Sequence, residues 1–372
     1  MLIGVPKEIK AFENRVGMTP QSVREAVSAG HKVIVERNAG HTIGFDDVHY
    51  ERMGATVAGT AAEVFEKADM IVKVKEPQPV ETKMLRDGQV LFTYLHLAPD
   101  EEQTAGLLAS GCTAIAYETV TDSRGGLPLL APMSEVAGRM AVQAGATCLE
   151  IAHGGRGVLI GGVPGVLPAK VVVIGGGVVG SNAIFVAAGM GGQVTVIDRD
   201  LRRLAELDSF YKSLIVTRFS NQTNIEEEVL NADLVIGAVL VPGAEAPKLV
   251  TAEIVRQMKR GSVIVDVAID QGGCCETSRP TTHDKPTYIV DEVVHYCVAN
   301  MPGGVARTST FALNNATLPF VLKLANMGPK EAMRADPHLL AGLNVHAGKL
   351  TYEAVARDQG RDYTPSAEAL GL

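Results

Sequence analysis

The sequence predicts a two-domain α/β protein, and three observations lead to this prediction. The chain has 372 residues, which is more than one ordinary core holds, since domains average roughly 150 residues. Short apolar runs alternate with longer amphipathic stretches, the pattern that builds parallel sheets covered by helices on both faces. A glycine-rich segment from His153 to Gly165 separates a first alternating set from a second. We therefore expect one sheet before that segment and another after it.

Composition and charge exclude several classes of protein. Apolar residues make up 46% of the chain and charged residues 20%, as in globular proteins and unlike disordered ones. A net charge of −8 without a run of Lys and Arg disfavours nucleic-acid binding. The N-terminus lacks the apolar stretch of a signal peptide, and the apolar windows are too short to span a bilayer. We expect a soluble, cytoplasmic protein that has neither nucleic acid nor a membrane as a partner.

The cysteines do not indicate a metal site or a disulfide framework. There are five of them, an odd number, and the only paired spacing is the adjacent Cys274 and Cys275. This pair has neither the spacing nor the neighbouring His ligands of a zinc site. We expect reduced, buried thiols and no metal.

In the first part of the chain, strands alternate with helices. One helix is predicted from Thr19 to Ala29, with Thr19 as the N-cap, Pro20 at the first position and Gly30 after its end. The candidate strands are Leu2 to Val5, Val33 to Glu36, Met70 to Val74, Val90 to Tyr94 and Thr113 to Tyr117.

In the second part the same alternation resumes. A long helix is predicted from Ser134 through Ile151, another from Val178 to Met190, and a third from about Thr310 to Ala325. The candidate strands are Val171 to Ile174, Gln193 to Ile197, Leu234 to Ala238, Ser262 to Val267 and Thr287 to Val290.

The segment from Lys170 to Gly180 carries a dinucleotide signature. G-x-G-x-x-G follows a β-branched strand and precedes a helix. Gly175 suits a tight turn, Gly177 lets the backbone approach a pyrophosphate, and Gly180 permits close helix–strand packing. The helix N-terminus offers unpaired N–H groups to phosphates. The alternative is a glycine-rich turn without a ligand.

The strand that follows this motif ends at Asp198, eighteen residues after Gly180. A carboxylate there accepts hydrogen bonds from the ribose hydroxyls and repels a 2′-phosphate, so it favours NAD over NADP. Arg199, Arg202 and Arg203 lie just beyond and are either phosphate ligands or, as we prefer, a solvated helix face. Arg203 also remains a candidate for contact with the adenosine end.

Four polar residues follow predicted strands or lie in a nearby loop, where open parallel sheets place their chemistry. His96 follows an apolar strand and exchanges protons near neutral pH; the alternative is a structural histidine. Asp270 follows a buried strand and precedes two glycines, and its alternative is an Asx turn or a helix cap. Lys75 suits a carboxylate or carbonyl oxygen, although Lys73 and Lys75 also read as a solvated edge. Arg15 suits a carboxylate through two hydrogen bonds, although a loop arginine is commonly just solvated.

The chain closely resembles the bacterial alanine dehydrogenases over residues 1 to about 350. The segments that carry the resemblance are IGVPKEIK…ENRVGMTP, VKVKEP, LFTYLHLA, AIAYETV, APMSEVAGRMA, GGRGVLIGGVPGV, VVVIGGGVVG, DLVIGAVLVPGAEAPKLV, VIVDVAIDQGGC and NMPGGVARTST. The resemblance implies NAD-dependent interconversion of L-alanine with pyruvate and ammonia.

The resemblance also implies roles for individual residues. His96 and Asp270 correspond to the catalytic residues, Arg15 and Lys75 to the residues that hold the substrate carboxylate and carbonyl, and Asn300 to a residue near the substrate. The positions implied to contact NAD are Ser134, Gly175, Gly177, Val178, Val179, Gly180, Asp198, Arg203, Ser220, Val239, Leu240, Ile269, Asp270 and Met301.

The family fold implies two Rossmann-like domains with parallel sheets, in which the NAD domain is inserted into a discontinuous catalytic domain. The expected parts are 1–129 and 308–372, the latter helical, for the catalytic domain, and 130–307 for the NAD domain. Two long helices would link the domains, with the substrate in the cleft between them. Members of the family are usually homohexamers.

Three other functions remain as alternatives. The soluble NAD-binding part of a proton-translocating transhydrogenase shares the two-domain plan but hands hydride to a partner protein. A non-catalytic NAD-sensing module would bind NADH without turnover. An amino acid dehydrogenase of different specificity would act on serine, 2-aminobutyrate or glyoxylate.

Overall fold

A computed structural model describes residues 1–239 and 246–372 and divides the chain into two compact units. The first unit comprises Met1–Met133 and Val305–Leu372, and the second comprises Ser134–Gly304. The second unit is thus inserted in sequence between the two segments of the first. No helix among the described residues is long and apolar enough to cross a membrane.

Helices and strands alternate along most of the chain. The strands are β1 (Leu2–Val5), β2 (Lys32–Glu36), β3 (Thr56–Ala58), β4 (Met70–Val72), β5 (Val90–Thr93), β6 (Thr113–Ala116), β7 (Lys170–Ile174), β8 (Gln193–Asp198), β9 (Ile215–Phe219), β10 (Leu234–Gly237), β11 (Val263–Asp266), β12 (Thr287–Val290), β13 (Val293–Tyr296), β14 (Leu343–His346) and β15 (Lys349–Leu350). The helices are α1 (Pro20–Ser28), α2 (Asp47–Arg52), α3 (Ala61–Lys67), α4 (Pro79–Thr82), α5 (Glu101–Ser110), α6 (Ala131–Cys148), α7 (Val178–Gly189), α8 (Leu201–Tyr211), α9 (Gln222–Asn231), α10 (Ala252–Gln257), α11 (Ala306–Met327), α12 (Pro329–Ala335), α13 (Pro337–Leu340), α14 (Glu353–Gln359) and α15 (Ser366–Leu370).

The first unit is built on a sheet with the strand order β15-β14-β6-β5-β4-β1-β2-β3. Strands β1 to β6 pair in parallel, and the central β4, β5 and β6 are completely buried. The C-terminal segment, expected to be helical, also contributes β14 and β15, which pair antiparallel at one edge of this sheet. Ala347 and Gly348 join them with φ values of 48° and 75°, as a two-residue hairpin turn requires.

The second unit is built on a sheet with the strand order β12-β13-β11-β10-β7-β8-β9. All its pairs are parallel except β12 with β13, which pair antiparallel at one edge. Both faces of the sheet are covered. Val171 and Val173 of β7 enter one apolar cluster, while Val172 and Ile174 enter the other. This double burial explains why the strand is an unbroken β-branched run rather than an alternating one.

The elements named from the sequence are present, with changes at their ends. Helix α1 begins after Thr19, whose side chain accepts a hydrogen bond from the backbone N–H of Ser22, and Gly30 follows the helix with φ 88°. The predicted limits of the helix from Ser134 to Ile151 are wrong, because α6 begins at Ala131, where Pro132 is tolerated in the first turn. The sequence did not indicate β3, β9 or β13, nor the terminal hairpin.

Candidate active site and dinucleotide-binding loop

Arg15, Lys75 and His96 are brought to one edge of the first unit's sheet. They follow β1, β4 and β5, which are neighbouring parallel strands whose carboxyl ends share an edge. Contacts confirm the proximity of the three segments. A Cβ on Gly17 would lie 2.2 Å from the carbonyl oxygen of Val72, so the chain after Arg15 crosses the end of β4. The Thr93 hydroxyl donates to the carbonyl of Lys75 at 2.9 Å.

Arg15 is a buried cation with a dedicated counter-charge. It is 2% exposed, which excludes a merely solvated loop arginine. Its Nε and Nη2 atoms donate to the two carboxylate oxygens of Glu13 at 2.7 and 2.5 Å, and Nη1 lies 3.1 Å from the sulfur of Met133. Burial alone would lower the pKa of Arg15, but the hydrogen bonds and charge of Glu13 outweigh it and raise that pKa. The guanidinium is therefore charged and fixed in orientation, as recognition of a carboxylate requires.

Lys73 and Lys75 have different environments, although the sequence places them two residues apart. Lys75 is half-buried, and its segment is followed by Pro77. Lys73 is 1% exposed and donates to Glu81 at 2.7 Å and to Glu8 at 3.1 Å. Glu8 also accepts the backbone N–H that precedes Lys75. The solvated-edge interpretation is wrong for Lys73, which joins the N-terminal segment to the strand end that carries Lys75.

His96 is held by its backbone and presents its ring to solvent. Its φ of 48° is left-handed, and its side chain is 45% exposed. Glu118 accepts its backbone N–H at 2.6 Å and that of Leu95 at 3.1 Å, and a Glu118 oxygen lies 3.8 Å from Nδ1 of the imidazole. The ring stacks on Tyr94, whose hydroxyl donates to the carbonyl of Leu129 at 2.5 Å. An exposed imidazole oriented by a carboxylate and an aromatic ring suits proton transfer.

Glu118, Tyr94, Glu13 and Glu8 were not identified from the sequence as site residues. Each acts on a predicted residue through a contact that depends on the fold. Glu118 follows β6, the neighbour of the strand that precedes His96, so strand order was the signal that would have found it.

The glycine-rich loop of the second unit has the geometry that its motif predicts. Gly175 has φ 101°, and a Cβ there would lie 2.6 Å from the carbonyl oxygen of Ala238. A Cβ on Gly180 would lie 1.8 Å from the carbonyl oxygen of Gly175, so only glycine permits this close packing. A Cβ on Gly177 would meet no atom within 4 Å. That open space lies at the N-terminus of α7, beside Val178 and Val179, where helix N–H groups suit a phosphate.

Asp198 ends β8 beside the glycine loop. Its carboxylate accepts the backbone N–H groups of Gly176 at 2.6 Å and Asp200 at 2.8 Å, and a carboxylate has about four acceptor positions. Arg203 donates to the carbonyl of Gly176 and to the hydroxyl of Ser181, so it braces the loop. Ser220 follows β9, and its N–H donates to the carbonyl of Asp198 at 2.9 Å.

The other predicted cofactor positions follow strands of the same sheet or lie on α6. A Cβ on Gly138 would lie 2.1 Å from the carbonyl oxygen of Val179, so α6 touches the loop helix, and Ser134 is one turn earlier on that face. The remaining positions follow β10, β11 and β13 in turn and are Val239, Ile269, Asp270, Asn300 and Met301. Leu240 lies outside the described residues. Ile269 and Met301 are buried, whereas Asp270 is exposed.

Comparison with known families covers nearly the whole chain. Alanine dehydrogenase/PNT, N-terminal domain, matches residues 4–137, and Alanine dehydrogenase/PNT, C-terminal domain, matches residues 141–353. The chain belongs to the alanine dehydrogenase/PNT family. The resemblance inferred from the sequence motifs is thereby confirmed.

Relatives within the family are similar over their full length. The chain is 60% identical over 371 residues to the alanine dehydrogenase of Halomonas elongata, covering 100% of both chains. It is 56% identical to that of Bacillus subtilis, covering 100% of this chain and 98% of the relative.

Solved structures confirm the two-domain α/β fold. An L-alanine dehydrogenase superposes with a TM-score of 0.94 at 54% identity, covering 97% of this chain and 99% of the other. A transhydrogenase from Sinorhizobium meliloti superposes with a TM-score of 0.81 at 27% identity, covering 95% of this chain and 100% of the other.

Proposed function

We propose that the chain catalyses the NAD-dependent oxidative deamination of L-alanine to pyruvate and ammonia, and the reverse reductive amination. The observation that carries the proposal is the 60% identity, without loss of coverage, to a protein named alanine dehydrogenase. The first unit then acts as the catalytic domain and the second as the NAD domain.

The second unit fits a dinucleotide. The open space at Gly177, the N-terminus of α7 and the remaining acceptor positions of Asp198 suit a pyrophosphate and an adenosine ribose. Arg203 is engaged with the backbone of the loop and with Ser181, which supports NAD rather than NADP. When bound, NAD supplies the acceptor for a hydride from Cα of alanine.

The first unit supplies the cations that hold the substrate. Arg15 is charged and fixed by Glu13, and it pairs with the substrate carboxylate. Lys75 binds the carboxylate and, in the keto acid, the carbonyl oxygen. Asn300 is the third residue proposed to bind the substrate. These contacts hold the substrate in one orientation, so that the Cα–H bond points toward the hydride acceptor.

His96 moves the protons of the reaction. The amine is unprotonated when the hydride leaves Cα, so its lone pair forms the C=N bond of iminopyruvate. His96 takes a proton from water as the water oxygen adds to that carbon and then returns the proton to the nitrogen. It finally takes the hydroxyl proton as ammonia departs and the carbonyl of pyruvate forms. Asp270 orients the water or ammonium, and exclusion of bulk water protects the imine from side reactions.

The test is NADH consumption by the pure protein with pyruvate and ammonium. The proposal expects loss of NADH absorbance that requires both, with NADPH much less effective. Pyruvate alone is the control for simple keto-acid reduction. Ranking pyruvate against other keto acids distinguishes an alanine enzyme from one of different specificity. Absence of ammonium-dependent turnover by a protein that binds NADH would contradict the proposal.

The transhydrogenase similarity favours a second candidate. The chain resembles the Sinorhizobium meliloti protein over 95% of its length, and hydride transfer to a partner protein would need no substrate cations. The buried, counter-charged Arg15 favours the dehydrogenase. A pure chain that oxidises alanine without any added protein excludes the second candidate.

The proposal extends to a cytoplasmic homohexamer. Large apolar side chains are exposed within and beside the glycine-rich segment, with Ile151 72%, Leu159 65% and Leu167 78% exposed. Exposed apolar patches are typical of association surfaces. Sedimentation of the pure protein at six times the chain mass is the expected result.

A further inference from the structure

Asp266 is a buried carboxylate that the proposed reaction leaves unexplained. It is the last residue of β11 and is 0% exposed. Asp270 lies four residues later, in a short 3₁₀ segment that spans Val267–Gln271, and is exposed. A fully buried carboxylate requires hydrogen-bond donors, since its desolvation is otherwise costly.

The donors to Asp266 all come from the chain after the loop that carries Asp270. One oxygen accepts the backbone N–H groups of Cys274 at 2.9 Å and Cys275 at 3.2 Å, together with the Ser278 hydroxyl at 2.6 Å. The other oxygen lies 3.6 Å from the Cys274 sulfur. The loop of residues 267–273 therefore leaves from Asp266 and returns to its side chain.

The loop is also closed internally. Gly272 and Gly273 have φ values of 86° and 78° and donate to the carbonyls of Ile269 and Ala268, each at 3.0 Å. A Cβ on Gly273 would lie 2.7 Å from the Asp266 carboxylate. Since the packing leaves no room for a side chain there, the loop has little freedom to move relative to Asp266.

A metal ion is a poorer explanation of this cluster. Asp266, Cys274 and Cys275 place one ligand atom each within 4.8 Å of one another. One oxygen of the carboxylate, however, already accepts three hydrogen bonds from the protein. A hydrogen bond with Cys275, followed by burial, holds the pKa of the Cys274 thiol well above its ordinary value, in keeping with a thiol that faces the carboxylate as a donor.

We propose that Asp266 is a positioning residue, whose carboxylate fixes both ends of the loop 267–273 and thereby sets the position of Asp270. The inference rests on the proposed function, because it assigns Asp270 to the water or ammonium step. Asp266 itself is fully buried, and the partners of its carboxylate are the backbone and side chains of residues 274–278.

The test is Asp266→Asn, which replaces one acceptor oxygen with an NH₂ group facing donors. We expect kcat to fall about 100-fold, as small displacements of a catalytic group do. The matched control is Asp233→Asn. Asp233 is also buried and accepts the backbone N–H of Lys170 at 2.8 Å. It directly precedes β10, whereas Asp266 ends the neighbouring parallel strand β11, so the two residues lie at opposite ends of the strands. Each variant loses a buried carboxylate, so we expect thermal stability to fall in both and kcat to fall only in Asp266→Asn.

A double-mutant cycle with Asp270→Asn separates positioning from a general structural role. If Asp266 acts through Asp270, the double variant has the kcat of Asp270→Asn, whereas independent effects multiply. Single-turnover assays with excess enzyme reach the low rates required. Ser278→Ala is the second variant, because it removes one donor without adding a polar group. Ser278→Ala should lower kcat less than Asp266→Asn does, and combining it with Asp270→Asn should lower kcat no further than Asp270→Asn alone. It replaces Asp266→Asn in the cycle if that variant does not fold.

The outcomes distinguish the inference from the proposed function. A wild-type chain without alanine turnover refutes the function. An active wild type with a fully active Asp270→Asn variant refutes the role of Asp270. An impaired Asp270→Asn variant beside unchanged kcat in Asp266→Asn and Ser278→Ala, or effects that multiply in the cycle, overturns the positioning role of Asp266.

Discussion

The candidate binding edges of the two sheets are built differently. In the first unit, the edge carries charged side chains, and the deepest of them are buried with partners, Arg15 with Glu13 and Lys73 with Glu8 and Glu81. In the second unit, the edge at the glycine loop consists of backbone, shaped by glycines that leave space for a ligand, and one carboxylate, Asp198. Both edges lie at the carboxyl ends of parallel strands.

The difference follows from what each edge is proposed to bind. A small substrate whose charge changes during reaction needs cations and a proton carrier at fixed places, and preorganised charges stabilise it best. A dinucleotide is long and chemically constant away from its nicotinamide, so backbone N–H groups and close approach suffice. Substitutions in the first unit should therefore act on chemistry and electrostatics, and those in the second on affinity.

The largest effect is expected for His96→Ala. Loss of general acid–base catalysis should lower kcat by about 100-fold to 10,000-fold, while NADH affinity should stay unchanged because the proposed dinucleotide site lies in the second unit. Steady-state kinetics and NADH fluorescence titration measure the two quantities. His41→Ala is the control, since His41 is an exposed histidine of the same unit paired with Asp46. Near-normal turnover in His96→Ala would refute the assignment.

Lys73→Met tests the buried charges of the first unit. It leaves Glu8 and Glu81 buried without their cation, and removing one partner of a buried ion pair costs about 3–5 kcal/mol. Urea denaturation measures the loss, and KM for pyruvate should also rise because Lys75 shares this segment. Lys67→Met is the control, because Lys67 pairs with Glu63 at the surface, where ion pairs contribute little. Equal losses of unfolding free energy in Lys73→Met and Lys67→Met would show that the buried ion pairs of Lys73 stabilise the fold no more than a surface pair does.

Gly177→Ala and Gly180→Ala test the backbone edge of the second unit. A methyl group at Gly177 meets no protein atom, so the fold should persist while the Kd for NADH rises about tenfold, roughly 1.4 kcal/mol. A methyl group at Gly180 meets backbone at 1.8 Å, so stability and affinity should both fall. Gly189→Ala, where a Cβ also meets nothing, is the control. Unchanged NADH affinity in Gly177→Ala would exclude a ligand at the loop.

The sequence predicted most of the fold because buried parallel strands are local runs of β-branched residues. The strands around Val171 and Ile264 were found in this way. The missed strands are short, lie near sheet edges or depend on an unusual turn. Asp291 and Glu292 join β12 to β13 with φ values of 48° and 62°, and an Asp-Glu pair without glycine is not a typical hairpin signal.

The candidate site was predicted in part for a similar physical reason. His96 and Asp270 follow the ends of the apolar strands β5 and β11 by three and four residues, so the local sequence indicates their position at a sheet edge. The burial of Lys73 is not, because its partners Glu8 and Glu81 reach it from separate segments. The donors to Asp266 likewise become visible only once the loop after it is folded.

The smallest expected effect is on the pH dependence of thermal stability. The variant His295→Gln tests the interior of the second unit rather than its candidate binding edge. Burial lowers the pKa of His295, which contacts the Thr277 hydroxyl at 2.7 Å and the Val293 carbonyl at 3.0 Å. A histidine whose folded-state pKa is depressed contributes stability that is present above its unfolded pKa of 6.5 and lost as pH falls through the folded pKa. His295→Gln should therefore narrow the difference in thermal stability between about pH 7 and about pH 5. Burial also lowers the pKa of His346 in the first unit. Some of the difference in thermal stability between the two pH values should therefore remain in His295→Gln. His41→Gln, an exposed control, should keep the full wild-type difference, and an equally large difference in His295→Gln would show that acid destabilises the chain through other groups.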